Sequence, residues 1–225
     1  MIVGARNGQV GTLDKRPSTE NQNSKLPLLY IVGDSISVHY GPFLQQMVAG
    51  VMDYSRKKGD EHWISHDDCN GANGGDSRNV ANYLASMLLR STVRPSVLML
   101  NCGLHDIKVY PAVKDRQVPI KYYRENLQKI VHSGKELAEK VVWVNTTPVD
   151  DLRHNRFLDF HRYNADVESY NLAAEEIMWR SSIPIIDLYT FTLNLGKDIY
   201  CDYVHFNEHV REAQAAYIAG FLAEV

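Results

Sequence analysis

The chain has 225 residues, 44% hydrophobic and 23% charged, with 24 Lys and Arg against 27 Asp and Glu for a formal net charge of −3. Composition and length are those of one soluble globular domain, large enough to bury about 70% of its unfolded surface without disulfides or metal. The charge balance leaves no basic excess for phosphate contacts, which argues against nucleic acid as a partner. No apolar run approaches the roughly 20 residues of a membrane span, and three cysteines (Cys69, Cys102, Cys201) make neither a disulfide scaffold nor a zinc motif.

Residues 1–26 are polar and lack the apolar stretch of a signal peptide. They read as a flexible arm before one domain over 27–225, and a cytoplasmic setting is the default expectation. Leu28–Val32 is a short apolar run stopped by Gly33, which predicts a buried strand. Phe43, Leu44, Met47, Val48, Val51 and Met52 predict a helix over 42–56. A short strand is expected over 62–65, then a Gly/Asn-rich loop over 67–75, then a helix over Ser77–Arg90 with Val80, Leu84, Met87 and Leu88 on one face. Val97–Leu100 predicts a second strong strand, 119–139 a helix, Val141–Val144 a third strand, 161–180 a long helix and Ile183–Ile186 a last short strand. The terminal helix, Glu208–Leu222, is expected to face inward through Val210, Ala213, Ala216, Tyr217 and Phe221. Alternating strands and helices imply a parallel sheet covered on both faces, with any ligand at the carboxyl ends of the strands.

Four segments fall at those ends. Gly33-Asp34-Ser35 follows the first strand, where a hydroxyl and a helix N-terminal N–H suit a nucleophile and its oxyanion; by itself it is equally an N-cap. Asp202-Tyr203-Val204-His205 precedes the last helix and pairs an imidazole with a carboxylate that can fix its tautomer, or is a surface loop with a capping Asp. Asn70 to Ser77 is glycine-rich and permits close backbone approach, or is a flexible loop. Asn101 to Asp106 brings His105 to the edge that carries Ser35, or is a turn with a capping Asp.

In this order the four segments resemble the SGNH/GDSL hydrolase superfamily, from about Leu28 to the C-terminus. The matching residues are Gly33-Asp34-Ser35-Ile36, then Asn70 through Ser77 with Gly75 at the oxyanion glycine, then Gly103-Leu104-His105-Asp106, then Asp202 and His205. Thr147-Pro148 after the third strand and Tyr170-Asn171 on the penultimate helix are lesser echoes. The resemblance implies a three-layer α/β/α sandwich, flavodoxin-like, with about five parallel strands. It implies Ser35 as nucleophile, His205 as base and Asp202 as its orienter, with oxyanion donors from Ser35 N–H, Gly75 N–H and the side chain at 105. No cofactor and no metal are expected from the residues: no Gly-x-Gly-x-x-Gly follows the first strand, and His205 with His209 has no evident third ligand.

His105 departs from the family's Asn. An imidazole still donates a hydrogen bond, but the donor is now titratable, which leaves the pH dependence of the oxyanion hole open. Gly-Leu-His-Asp also occurs in branches resembling polysaccharide O-acetyl esterases, which favours short acyl esters, acetyl first, on carbohydrate or another small molecule. The alternatives are a thioesterase or lysophospholipase, or an impaired binding module. Asp34 and Asp106 are expected to brace turns. Tyr110, Arg153, His154, Arg156, Phe157 and Tyr163 are candidates to line the substrate cleft. Cys69, Cys102 and Cys201 each abut a motif and are expected as small buried packing residues, two of them near enough to pair under oxidation.

Overall fold

The computed structural model describes residues 25–58, 69, 71–156 and 158–224. Most of the arm, the expected strand over 62–65, Asn70 and Phe157 lie outside the described residues. In chain order the elements are β1 (Leu28–Val32), α1 (Ser35–Met47), β2 (Asp53–Arg56), α2 (Ser77–Arg90), β3 (Val97–Leu100), α3 (Ile120–Leu137), β4 (Lys140–Val144), α4 (Asp151–His154), α5 (Asn164–Arg180), β5 (Ile185–Ile186), α6 (Leu188–Leu193) and α7 (Glu208–Leu222).

The strands form one parallel sheet in the order β2-β1-β3-β4-β5, the flavodoxin-like order. The chain steps from β1 to β2 in one direction and then reverses for the remaining strands. Right-handed crossovers therefore send α1 to one face and α2, α3 and α5 to the other. The packing agrees: α2 lies on α3 and α3 on α5, while α7 returns to cover α1. With both faces covered, β1, β3 and β4 are apolar almost throughout, which is why each is legible as a continuous run.

Two expectations are corrected. The helix expected over 42–56 begins at Ser35 and ends at Met47, and 53–56 is the edge strand β2. Val51 and Met52 continue the helical spacing only by coincidence: Gly50, at φ +80, turns the chain, and Val51 is exposed. Helix α7 keeps its bounds but faces the core through Val210, Gln214, Ala215, Ile218 and Leu222. Gln214 is tolerated there because its amide donates to Thr192 Oγ1 at 2.9 Å. Ala216 is outside, and Tyr217 stacks on Phe191 with ring centroids 4.3 Å apart.

Candidate active site

The unusual residues gather at the carboxyl ends of β1 and β3, where the strand order reverses and a crevice opens in folds of this order. Asp34 ends the β1 turn in extended backbone and caps α1, its carboxylate accepting the Ile36 N–H at 3.0 Å. Burial raises its pKa against the opposing backbone N–H groups of Ile36 and Ser37. Ser35 is therefore the first residue of α1, one of the positions whose N–H has no acceptor within the helix.

The loop before α7 is tied into a tight turn. Tyr200 and Phe206 bridge, the Cys201 N–H donates to the His205 carbonyl at 2.9 Å, and Arg153 Nη1 donates to the Asp202 carbonyl at 3.3 Å. Asp202 Oδ1 accepts the Val204 and His205 N–H groups, while Oδ2 accepts His205 Nδ1 at 2.7 Å. Because the carboxylate can only accept, the imidazole carries its proton on Nδ1 and presents the lone pair of Nε2. That nitrogen stands 2.9 Å from Ser35 Oγ. Burial alone would raise the Asp202 pKa, but the bonds from Val204, His205 N–H and the His205 ring outweigh it and hold the carboxyl below its usual range. His39, one turn after Ser35, stacks on the His205 ring at 4.3 Å between centroids.

The remaining expected residues sit beside this chain of bonds. Gly75 has φ +72, a backbone that a side chain resists, and its N–H donates to Asn73 Oδ1 at 2.8 Å. That bond fixes which end of the Asn73 amide is oxygen, so Nδ2 faces His105 Nε2 at 3.3 Å and donates to it. His105 consequently holds its proton on Nδ1. Burial, then the charges of Lys108, Arg162 and His205, push its pKa well below the ordinary histidine value, so the ring is neutral at physiological pH. Burial and the neighbouring Lys108 and Arg162 charges both oppose charging of the imidazole.

Asp106 braces the site from beneath, as expected. Both its oxygens accept the Ser77 N–H at 3.0 Å, and Oδ1 accepts Ser77 Oγ at 2.5 Å, which ties the turn after β3 to the start of α2. Asn171 clamps the exit of β4 by accepting the Thr146 N–H and donating to the Thr146 carbonyl, which gives that echo a structural purpose. Among the cleft candidates, Tyr110, Arg156 and Tyr163 are exposed, but His154 is fully buried. Its Nε2 accepts from Arg162 Nη1 at 2.9 Å, and Arg162 Nε in turn holds the Leu104 carbonyl, so the pair supports the turn that carries His105. Cys102 is buried, whereas Cys69 and Cys201 are exposed, which corrects their reading as buried packing residues; all three thiols are free. Sequence reasoning missed Arg56, Lys57 and Arg162, since basic residues carry no periodic signal and read as solvated charge.

Against solved structures, the chain is similar to a lipase/acylhydrolase from Enterococcus faecalis, with TM-score 0.68 and 18% identity over 88% of this chain and 96% of that one. It is also similar to a member of the lipolytic G-D-S-L family from Veillonella parvula (0.63, 14% identity, 88% and 99% covered). An acetylxylan esterase from Geobacillus stearothermophilus matches likewise (0.61, 14%, 89% and 94%). The fold is that of the G-D-S-L acylhydrolases. The likeness is one of fold at these identities, and it spans nearly the whole length of each of these structures. No protein-family model and no curated relative matches the sequence.

Proposed function

We propose that the protein is a serine carboxylic ester hydrolase acting on short-chain O-acyl esters, acetyl first, with carbohydrate esters as the favoured class. The observation that carries the reading is the unbroken chain Ser35 Oγ, His205 Nε2, Asp202 Oδ2, at 2.9 and 2.7 Å, at the N-terminus of a helix. An acetylxylan esterase among the structures of similar fold supports the acetyl preference.

In the proposed reaction Ser35 Oγ attacks the ester carbonyl as its proton passes to His205 Nε2, and Asp202 holds the resulting imidazolium. The oxyanion takes the Ser35 N–H and competes with Asn73 Oδ1 for the Gly75 N–H. A charged acceptor wins that competition over a neutral amide oxygen. Neutral His105 contributes through its protonated ring nitrogen. His205 returns the proton to the leaving alcohol, and water then repeats the sequence on the acyl-enzyme, releasing the carboxylic acid and restoring Ser35.

The test is a fluorophosphonate followed by intact-mass and peptide mapping, together with 4-nitrophenyl acetate hydrolysis. One adduct on Ser35 is expected, and Ser35→Ala is expected to lose both the adduct and at least about 10³ of the rate. An adduct elsewhere, or wild-type turnover by Ser35→Ala, overturns the reading. A panel of acyl lengths and of oxygen and sulfur leaving groups separates acetyl ester from thioester or lysophospholipid substrates.

A further inference from the structure

The carboxyl end of β2 carries two adjacent cations, Arg56 and Lys57, whose hydrogen bonds converge on the glycine-rich loop that ends at Gly75. Lys57 is 6% exposed, and its backbone N–H continues the pairing with β1 by donating to the Ile31 carbonyl at 2.8 Å. Its ammonium donates to the carbonyls of Cys69 at 2.8 Å, Asn73 at 2.9 Å, and Gly71. Arg56 Nη2 reaches the Ala72 carbonyl at 3.2 Å and Ser37 Oγ at 3.0 Å, and Nη1 reaches the Ser37 carbonyl at 2.8 Å. Two side chains from one strand end thus collect four carbonyls of one loop and tie them to the first turn of α1, two residues beyond Ser35.

A peptide group points its carbonyl and its N–H in opposite directions. The peptide joining Asn73 to Gly74 is therefore held at both ends: its oxygen by Lys57, and its N–H by the Gly33 carbonyl at 2.8 Å, in the turn that leads to Ser35. The next plane still turns about the two soft dihedrals of Gly74, and it is the side chain of the same Asn73 that holds it, Oδ1 accepting the Gly75 N–H at 2.8 Å. Carbonyl dipoles aimed at a common point repel one another unless a cation sits there, and a buried ammonium is itself unfavourable unless its donors are satisfied. Each solves the other's problem, and the carbonyls of Cys69, Gly71 and Asn73 gather on the ammonium.

We propose that Lys57, assisted by Arg56, is a positioning residue for the oxyanion hole. It anchors Asn73 through its carbonyl, and Asn73 Oδ1 in turn aims the Gly75 N–H relative to Ser35. The proposal rests on the esterase reading above. Because the Gly75 N–H bonds the oxyanion and not the ground-state ester, mispositioning it lowers kcat and leaves KM nearly unchanged.

The experiment compares wild type, Lys57→Met and Arg56→Met for 4-nitrophenyl acetate kinetics, melting temperature and amide hydrogen exchange. For Lys57→Met a kcat loss of about 10²-fold is expected, with KM within about threefold, and faster exchange confined to the peptide spanning 69–77. For Arg56→Met, which releases one loop carbonyl, the same signature is expected at smaller size, and it stands as the test where Lys57→Met does not fold. Wild-type kcat in either variant, unchanged exchange over 69–77, or exchange raised equally across β1 and β3 overturns the proposal. If the wild-type protein neither turns over esters nor takes up the fluorophosphonate, the esterase reading falls by itself. The exchange data then decide alone whether Lys57 holds the loop.

Discussion

At the scale of single residues the site works by restricting what each side chain can do. The Asp202 carboxylate accepts three bonds, all from Val204 and His205, so the imidazole has one tautomer and one lone pair facing Ser35. His105 is fixed in the same manner by Asn73, and its low pKa, set by burial first and then by the cations Lys108 and Arg162, leaves it neutral. His105→Ala is expected to lower kcat by about 10²–10³, and His105→Asn is expected to stay near wild type. Between pH 6 and 8 the kcat profiles of wild type and His105→Asn should have the same shape; an inflection present only with histidine would show that the ring titrates in turnover. The motif residues were legible because their chemistry is rare in that order, whereas Asn73 and Lys57 act through contacts that spacing does not encode.

At the scale of elements, turns position the chemistry and strands hold the turns. Gly103, at φ +148, follows β3, and a Cβ there would lie 2.3 Å from Thr146 Oγ1 at the end of β4. Gly103→Ala is expected to destabilise by about 2–4 kcal/mol in chemical denaturation, combining backbone strain with overpacking. Adding Thr146→Ala should recover only the steric part. Strands β1, β3 and β4 and helices α2, α3 and α7 were readable because burial on both faces, or on one stripe, imposes a period on the sequence. Strand β2 was not: at the sheet edge its Asp-Tyr-Ser-Arg run has no apolar alternation, and only its register with Leu28–Ile31 makes it a strand. Short α4 and α6 sit below the length at which a period can be recognised.

At the scale of the whole molecule, buried ionisable groups set a pH window for stability. His105 lies well below its ordinary pKa, and His154 is brought to about 4, by burial first and then by Arg162. For a depressed base the unfolded chain takes the proton first, so the stability these rings contribute is present above pH 6.5 and is lost as pH falls toward 4. Asp106 has the opposite sign. Burial raises it to about 8 despite the Ser77 bonds, so the folded state keeps a proton that the unfolded chain has released, and stability declines as pH rises to 8. These three groups place their combined optimum near pH 6.5. Melting temperatures from pH 4 to 9 should show Asp106→Asn flattening the limb between 6.5 and 8, and His154→Gln flattening the acid limb; unchanged slopes in both variants would refute the assignment.

The sequence by itself determined the parallel α/β architecture and the order of the four site segments. Apolar runs must be buried on both faces, and a Gly-Asp-Ser turn, a glycine-rich loop and an Asp-His pair stand in a fixed order along the chain. Only the tertiary structure decided how the parts address one another: which nitrogen of His105 carries the proton, that the Gly75 N–H is engaged by Asn73, and that two cations from an edge strand hold the loop between them. Those facts depend on distances between residues far apart in the chain. Hydrogen-bond direction and desolvation are properties of the folded surroundings, and no local pattern of residues records them.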